Sequence, residues 1–226
     1  MVETIAIVGG TGAEGFGLGL RLARAGARLR IGSRDLEKAQ AAARRIAEIV
    51  GRGEVEGRLN PGAVSEAGVV ILTVPVAAQI GILKSVWGSF RPGAVLVDAT
   101  VPLEAAIGGR VSRTLGLWAG SAAQQAAQHV PEGVAVTSAF HCLSAEVLAD
   151  LEQDVDSDVL ICGDSVDAKA ALRDLVKLIP GARAVDAGPL ENSRFAESLA
   201  ALLISLNLRY KVKSAGVRIT GLGPGS

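Results

Sequence analysis

Hydrophobic positions follow two alternating patterns along the chain. Short apolar runs rich in β-branched residues predict strands at residues 4–8, 28–31, 69–74, 94–98, 134–138, 159–162 and 183–186. Apolar residues three or four positions apart predict helices at residues 12–25, 35–50, 76–89, 145–153, 166–179 and 191–211. Such alternation is typical of parallel strands joined by right-handed crossovers. We therefore predict an α/β fold with a doubly wound, mostly parallel sheet and a small, largely helical C-terminal part.

A glycine-rich turn follows the first predicted strand and precedes the first predicted helix. It reads GGTGAEG at residues 9–15 and contains the pattern GxGxxG at Gly10, Gly12 and Gly15. In dinucleotide-binding folds the first glycine allows a tight turn, the second lets the backbone approach the pyrophosphate, and the third lets the helix pack closely on the strand. The helix N-terminus then stabilises the phosphate charge. This context predicts a Rossmann-type dinucleotide site; the alternative is a glycine turn without a ligand.

The end of the second predicted strand indicates which dinucleotide is bound. A site selective for NAD has an acidic residue there, about 20 residues after the glycine pattern, to bind the ribose 2′-hydroxyl. This chain has Ser33 and Arg34, whose hydroxyl and guanidinium can bind a 2′-phosphate, and Thr11 adds a further hydroxyl. Asp35 is expected to cap the next helix. We predict NADP(H) as the cofactor, with a solvated turn residue as the alternative interpretation of Arg34.

Thr73, Val74 and Pro75 stand where the third predicted strand ends. Ligands bind beyond the carboxyl ends of the strands in open α/β sheets, so we expect these residues on the path of the nicotinamide ribose. We predict that residues 1–138 form the NADP-binding domain. Residues 139–226 then form a smaller part that closes the cofactor cleft, with the last helix over its mouth.

Charge and cysteine content restrict the partners. Lys plus Arg and Asp plus Glu both total 23, so the formal net charge is zero and no basic field for nucleic acid is present. Cys142 and Cys162 form no CxxC motif and are too few for a zinc site, so we predict no metal and a reduced, cytoplasmic setting. No apolar run approaches the roughly 18 residues of a membrane helix, so we expect no membrane partner.

Several motifs together resemble the F420H2:NADP+ oxidoreductases, which are NADPH-dependent reductases of the 5-deazaflavin coenzyme F420. The resemblance spans nearly the whole chain: GGTGAEG at 9–15, GSR at 32–34, EKA at 37–39, LTVP at 72–75, SAFH at 138–141, CGD at 162–164 and DAGPLENSR at 186–194. The last motif is the most specific, because an ordinary dinucleotide domain has no need of it. The similarity is weaker at residues 76–78 and 142–144 and beyond Asn207.

This resemblance implies hydride transfer between the nicotinamide of NADPH and the deazaflavin ring, stacked in a cleft between the two parts of the chain. It places His141 beside the deazaflavin, where the imidazole could hydrogen-bond the reduced ring or balance its developing negative charge. His141 is therefore the candidate catalytic residue. The motifs also bring Ala13, Glu14, Lys38 and Ala139 into the predicted cofactor-binding set.

The C-terminal part supplies further candidates. Pro189 and Asn192 begin the last predicted helix, where backbone donors could bind a polar edge of either cofactor; helix capping is an equally good interpretation of Asn192. Beyond Glu197 the chain has no acidic residue but contains Arg209, Lys211, Lys213 and Arg218. Such a strip suits the acidic tail of the deazaflavin coenzyme, and basic residues also favour helix C-termini.

The sequence also leaves other activities open and predicts a homodimer. The same NADPH site could serve reduction of a small imine or 3-hydroxy acid, or an NADPH-sensing module without turnover. A short-chain dehydrogenase is excluded, because the single tyrosine, Tyr210, is followed by Ser214 where Tyr-x-x-x-Lys requires lysine. The apolar run at residues 199–208 predicts burial against a second subunit in a homodimer.

Overall fold

A computed structural model of the chain describes residues 3–223. Within them, the strands form one sheet in the order β3-β2-β1-β4-β5-β6-β7-β8. Their bounds are β1 Ile5–Val8, β2 Arg28–Ser33, β3 Glu54–Leu59, β4 Val69–Leu72, β5 Val95–Asp98, β6 Ala135–Ser138, β7 Ser157–Gly163 and β8 Ala182–Asp186. All neighbouring strands are parallel except β6 and β7. This order confirms the predicted doubly wound, mostly parallel α/β sheet.

The helices fill the connections between these strands. Their bounds are α1 Ala13–Arg24, α2 Leu36–Val50, α3 Asn60–Ser65, α4 Val76–Val86, α5 Ala122–Ala127, α6 Ala145–Ala149, α7 Val166–Val176 and α8 Ser193–Tyr210. Local signals explain where α2 begins and ends. The carboxylate of Asp35 accepts a hydrogen bond from the Lys38 N–H, as predicted, and Gly51 ends the helix with a φ of +69°.

Strand β3 and helix α3 are elements that the hydrophobic pattern did not predict. The strand reads EVEGRL and lies at the edge of the sheet, against β2. Glu54 lies 2.9 Å from the guanidinium groups of both Arg28 and Arg30 on that neighbour. Charged side chains are common on edge strands, because they discourage pairing with another chain. This strand therefore lacks the apolar alternation that reveals the others.

Strands β1 and β4 are buried along their whole length. On one face of the sheet, Ile7 belongs to a core cluster that includes Leu18 of α1. On the other face, Val8 belongs to a second cluster that includes Leu83 of α4. Burial on both faces explains why these strands are continuous apolar runs. Packing on both faces also holds the carboxyl end of β1 in place, and the glycine-rich turn begins at that end.

The sheet and one buried arginine connect the N-terminal and C-terminal parts. Strands β7 and β8 continue the sheet past β6, so the predicted division at residue 138 falls at the end of a strand inside a continuous sheet. Arg21 of α1 is 2% exposed. Its guanidinium donates to the carbonyl oxygens of Leu148 at 3.0 Å, Val147 at 2.6 Å and Gln153 at 2.7 Å. These bonds hold the segment around α6 against α1.

The C-terminal segment is held by a buried carboxylate. Asp158 of β7 is fully buried and lies 2.7 Å from Arg183 and 3.0 Å from Arg218, and it also accepts the N–H of Ile219 at 2.7 Å. Arg218 is thus part of the fold, and the structure corrects its inclusion in a strip for the coenzyme tail. No helix within residues 3–223 is long and apolar enough to span a membrane.

Candidate active site

The glycine turn between β1 and α1 depends on Gly9 as well as on the predicted Gly10. Gly9 has a φ of +87°, a conformation that disfavours any side chain. The N–H of Gly10 donates to the Ile7 carbonyl oxygen at 3.2 Å and closes the turn. A Cβ on Gly10 would lie 2.9 Å from both Ile31 Cγ2 and the Ile7 carbonyl oxygen, so the tight turn needs glycine there.

Gly15 packs as predicted, and Gly12 faces open space. A Cβ on Gly15 would lie 2.5 Å from Thr73 Oγ1 and 2.8 Å from Gly10 Cα, so only glycine lets α1 approach the strands this closely. A Cβ on Gly12 would have the Gly9 carbonyl oxygen, at 3.3 Å, as its sole neighbour within 4 Å in the described chain. The room above Gly12 is therefore available to a ligand.

The start of α1 fits an anionic ligand. Gly12 is the N-cap residue and has no side chain to bond the N–H groups of the first turn. Those groups and the positive end of the helix dipole can bind a diphosphate. Glu14 in the same turn offers little opposing charge, because burial, and then the neighbouring Asp98, raise its pKa to about 8. The residues present therefore fit the phosphates of a dinucleotide.

A cleft beside this turn holds two basic side chains. It is lined by Thr11, Gly12, Ala13, Phe16, Lys38, Ala41, Ala42 and Arg45. The guanidinium carbon of Arg45 lies 4.9 Å from the centre of the Phe16 ring, a cation–π contact between α2 and α1. Sequence reasoning missed Arg45, because its place in the cleft depends on how these two helices pack.

Ser33 and Arg34 follow at the carboxyl end of β2. The Ser33 hydroxyl accepts the N–H of Asp35 at 3.2 Å, and Arg34 is exposed. The Asp35 carboxylate accepts the N–H of Lys38 at 3.2 Å, so this acidic group belongs to the start of α2. The strand end thus offers a hydroxyl and a guanidinium.

A larger cavity of about 980 Å³ lies beside the glycine turn. Seven of the predicted residues line it: Gly12, Ala13, Glu14, Thr73, Val74, Pro75 and His141. Helix α8 contributes Ala200, Leu203 and Ile204, as expected for a helix over the cleft. Gly12 and Ala13 line both the cleft and the cavity, so the two spaces adjoin.

Three predicted residues from position 139 onward lie outside both this cavity and the cleft. Ala139 is fully buried, and its N–H donates to the Asp98 carbonyl oxygen at 3.2 Å. Pro189 lines a separate pocket. Asn192 precedes α8, but its side-chain amide donates to the Ala187 carbonyl oxygen at 2.7 Å and does not cap the helix. Their roles toward a cofactor stay predictions.

A buried cluster of acidic groups surrounds His141. Carboxylate oxygens of Asp98 and Glu197 and a ring nitrogen of His141 lie within 4.8 Å of one another. Asp98 is 0%, Glu197 2% and His141 8% exposed. Asp98 ends β5, His141 follows β6 and Glu197 lies in α8. Sequence reasoning did not group these two acids with His141, because only the completed sheet brings the three distant positions together.

Hydrogen bonds satisfy only part of this cluster. Asp98 Oδ1 accepts from Gln79 at 3.0 Å and from Thr100 at 2.8 Å. The carboxylate of Glu197 accepts the N–H groups of Ala122 at 2.9 Å and Ala123 at 3.2 Å, at the start of α5. Within residues 3–223, Asp98 Oδ2 and both ring nitrogens of His141 are buried without a hydrogen-bond partner. Buried polar atoms without a partner lower the stability of the fold, so their presence points to a functional role.

Burial dominates the acid–base properties of these groups. Burial raises the pKa of Asp98 to about 7 and that of Glu197 to about 7, although their hydrogen bonds act in the opposite direction. Burial lowers the pKa of His141 to about 4, so the imidazole is neutral at pH 7. Because the raised pKa values of Asp98 and Glu197 reduce their negative charge, these two groups do little to oppose the lowering of the His141 pKa.

Comparison with known proteins identifies the family. The chain is 47% identical over 225 residues to the F420-dependent NADP reductase of Methanothermobacter thermautotrophicus, and the match covers 98% of this chain and 97% of that protein. The chain belongs to the F420-dependent NADP reductase family. Another member, from Methanocaldococcus jannaschii, is 42% identical over 222 residues, covering 96% of this chain and 98% of that protein. This result confirms the resemblance found in the motifs.

The family's sequence model, described as NADP oxidoreductase coenzyme F420-dependent, matches residues 4–102 of this family member. Solved structures share its fold. An Arthrobacter protein whose proposed activity is that of an F420-dependent NADP reductase has a TM-score of 0.81 at 22% identity, covering 97% of this chain and 100% of that chain. The 3-hydroxyisobutyrate dehydrogenase of Mycobacterium tuberculosis has a TM-score of 0.65 at 19% identity, covering 93% of this chain and 62% of that chain.

Proposed function

We propose that this protein transfers a hydride between NADP(H) and coenzyme F420, the reaction named in its relatives. The observation that carries the proposal is full-length similarity to F420-dependent NADP reductases at 47% identity. Direct hydride transfer needs two flat rings held face to face, so the protein contributes mainly positioning and exclusion of water. The adjoining cleft and cavity offer a path for one extended cofactor and room for a second ring system.

The cleft is the proposed site for the adenosine end of NADP(H). The first turn of α1 holds the diphosphate, while Ser33 and Arg34 bind the 2′-phosphate by a hydroxyl and a charged fork. Thr11 and Lys38 line the cleft and add a hydroxyl and a cation. The nicotinamide then lies in the cavity, past Thr73, where the wall continues to Val74 and Pro75.

The deazaflavin ring is proposed to occupy the rest of the cavity. Leu203 and Ile204 of α8 give it an apolar wall, and the neutral imidazole of His141 also lines this space. A neutral imidazole can donate a hydrogen bond but supplies no full positive charge. Lys211 and Lys213, which also line the cavity, are placed to attract the acidic tail.

The exposed side of α8 supports the proposed homodimer. Phe195 is 62% and Leu202 53% exposed in the single chain. A second copy that covers this face would remove these side chains from water. Size-exclusion chromatography with light scattering should give a dimer, whereas a stable 23 kDa species at micromolar concentration would refute it.

The free, buried Cys142 and Cys162 suit the proposed reducing cytoplasm, and the balanced charge gives nucleic acid no attraction.

The decisive test mixes purified protein with NADPH and oxidised coenzyme F420 and follows the visible absorbance of the deazaflavin. Bleaching with NADPH supports the proposal. Tight binding of NADPH without bleaching would favour an imine or 3-hydroxy acid reductase, or a sensing module, and would reject F420 as the substrate. Repeating the assay with NADH tests the cofactor preference.

A further inference from the structure

Two buried carboxyls, Asp98 and Glu197, lie together with His141, and the half-buried Glu14 interacts with Asp98, without a cationic partner among the groups described below. Asp98 raises the pKa of Glu14, and Glu197 raises the pKa of Asp98. No lysine or arginine is among the groups that shift these three pKa values in the described chain. The titratable neighbours from the loop after β6 are His141 and Cys142, both held neutral by burial. Buried acids of this kind must be neutralised by protons or by a bound cation.

The hydrogen bonds favour protons over a metal ion. Glu197 already accepts N–H bonds on both carboxylate oxygens, and Asp98 Oδ1 accepts from Gln79 and Thr100. Among Asp98, His141 and Glu197, the atoms without a hydrogen-bond partner within residues 3–223 are Asp98 Oδ2 and the two ring nitrogens of His141. These offer one carboxylate oxygen and one imidazole, fewer ligands than a protein metal site normally supplies.

One side of the cluster opens to the cavity. Glu14 and His141 line it, whereas Asp98 and Glu197 are enclosed behind them. Glu14 Oε1 is itself buried and has no hydrogen-bond partner in the described chain. The cluster therefore connects enclosed acids with the space proposed for the reacting rings.

We propose that Glu14 donates the proton that accompanies hydride transfer, and that Asp98, His141 and Glu197 replace that proton. This inference rests on the proposed function, because it takes the deazaflavin as the proton acceptor. The carboxyl of Glu14 belongs to the first turn of α1, so the helix that binds the diphosphate also sets the position of the donor.

One proton balances each hydride. Reduction of the deazaflavin by NADPH breaks a C–H bond at the dihydronicotinamide and forms one at the deazaflavin carbon, with two electrons passing from the first ring to the second. The second hydrogen gained by the deazaflavin is a proton on a ring nitrogen. The O–H bond of Glu14 breaks, the N–H bond forms, and Glu14 is left as a carboxylate. In the opposite direction Glu14 takes this proton back.

His141 links the inner acids to Glu14. A neutral imidazole accepts a proton at one ring nitrogen and donates one from the other. One of its ring nitrogens lies within 4.8 Å of carboxylate oxygens of Asp98 and Glu197, and neither nitrogen has a hydrogen-bond partner among the described residues. Asp98 and Glu197 can thus return a proton to Glu14 without opening the cavity to bulk water.

The first test uses the protein without either cofactor. Infrared spectroscopy across a pH titration should show a protonated carboxyl at pH 7 that disappears near pH 8 and is absent from Glu14→Gln. On the wild type the titration reports whether the cluster retains protons. Loss of the band near pH 8 in Glu14→Gln assigns that band to Glu14 and not to Asp98 or Glu197, whose pKa values are about 7. The absence of any protonated carboxyl at pH 7, or one divalent metal ion per purified chain, would overturn the proposal.

The second test measures hydride transfer in a single turnover. At saturating NADPH, Glu14→Gln should slow deazaflavin reduction about 100-fold and abolish the loss of rate that the wild type shows above about pH 8. Glu152→Gln removes an exposed glutamate far from the cluster and should behave like the wild type. A Glu14→Gln protein with wild-type rate and pH profile would overturn the donor role. A wild type that never reduces F420 rejects the proposed function, and the infrared titration still reports on the cluster.

Discussion

Replacing Gly15 by alanine tests how closely helix α1 must approach the strands. The added Cβ would lie 2.5 Å from Thr73 Oγ1 and 2.8 Å from both Gly10 Cα and the Gly9 carbonyl oxygen. Two of these neighbours are backbone atoms of the turn itself, so they cannot rotate away. The helix must move outward by several tenths of an ångström, and the turn must move with it.

The expected magnitude follows from two opposing effects. Overpacking of this kind costs about 1–3 kcal/mol, while alanine gains up to about 1 kcal/mol over glycine inside a helix. We expect a net loss of about 1–2 kcal/mol and, for a chain of this length, a fall in Tm of roughly 2–8 °C. NADPH affinity should fall as well, because the N–H groups at the start of α1 shift with the helix.

Thermal denaturation and a fluorescence titration with NADPH measure both effects. Gly81→Ala is the matched control: Gly81 lies inside α4, is exposed, and has no neighbour within 4 Å of an added Cβ in the described chain. That change should stabilise the protein by about 0.5–1 kcal/mol and leave NADPH binding unaltered. If Gly15→Ala matched the wild type in both Tm and NADPH affinity, the close packing of the turn would not matter as argued.

Three further predictions concern selectivity, burial and pH. Arg34→Ala should weaken NADPH binding by about tenfold or more with little effect on NADH, whereas equal loss for both would contradict a 2′-phosphate site; Arg44→Ala, an exposed arginine of α2, is the control. Asp158→Asn should destabilise the fold by about 1.5–3 kcal/mol in a urea titration, because Arg183 and Arg218, each more than a third exposed, lose their charged partner; near-wild-type stability would refute this. The folded-state pKa of Glu14 is raised to about 8 from an ordinary 4.5, so its contribution to stability is present below pH 4.5 and is lost as pH rises through 8. The Tm of the wild type should therefore fall from pH 6 to pH 9, and this fall should be smaller in Glu14→Gln. An identical fall in both proteins would contradict the argument.

Sequence pattern predicts what is decided locally. Strands such as β1 and β4 are apolar throughout because both faces are buried, so their position in the chain is evident. The GxGxxG pattern likewise locates the dinucleotide turn, although it does not include Gly9, the residue whose φ of +87° requires glycine. Edge strand β3 is hidden, since its sequence EVEGRL is rich in charged residues and lacks an apolar alternation.

Features that depend on distant positions could not be predicted in the same way. In the sequence, Arg21 looks like an ordinary charge on the surface of a helix, because its burial depends on the packing of α6 against α1. Asp98 and Glu197 look like unrelated acids, and only the sheet order and the placement of α8 bring them to His141. Their raised pKa values are a consequence of that enclosure, not of any local motif.

The most direct measurement of the central claim traces the hydride itself. NADPH carrying deuterium on the transferred position of its nicotinamide is reacted with oxidised coenzyme F420 and this protein in ordinary water, and the reduced deazaflavin is analysed by mass spectrometry and NMR. Our account predicts one deuterium on the deazaflavin ring carbon and the accompanying proton from unlabelled exchangeable sites. Reduced deazaflavin without deuterium, or no reduction in the presence of bound NADPH, would contradict it.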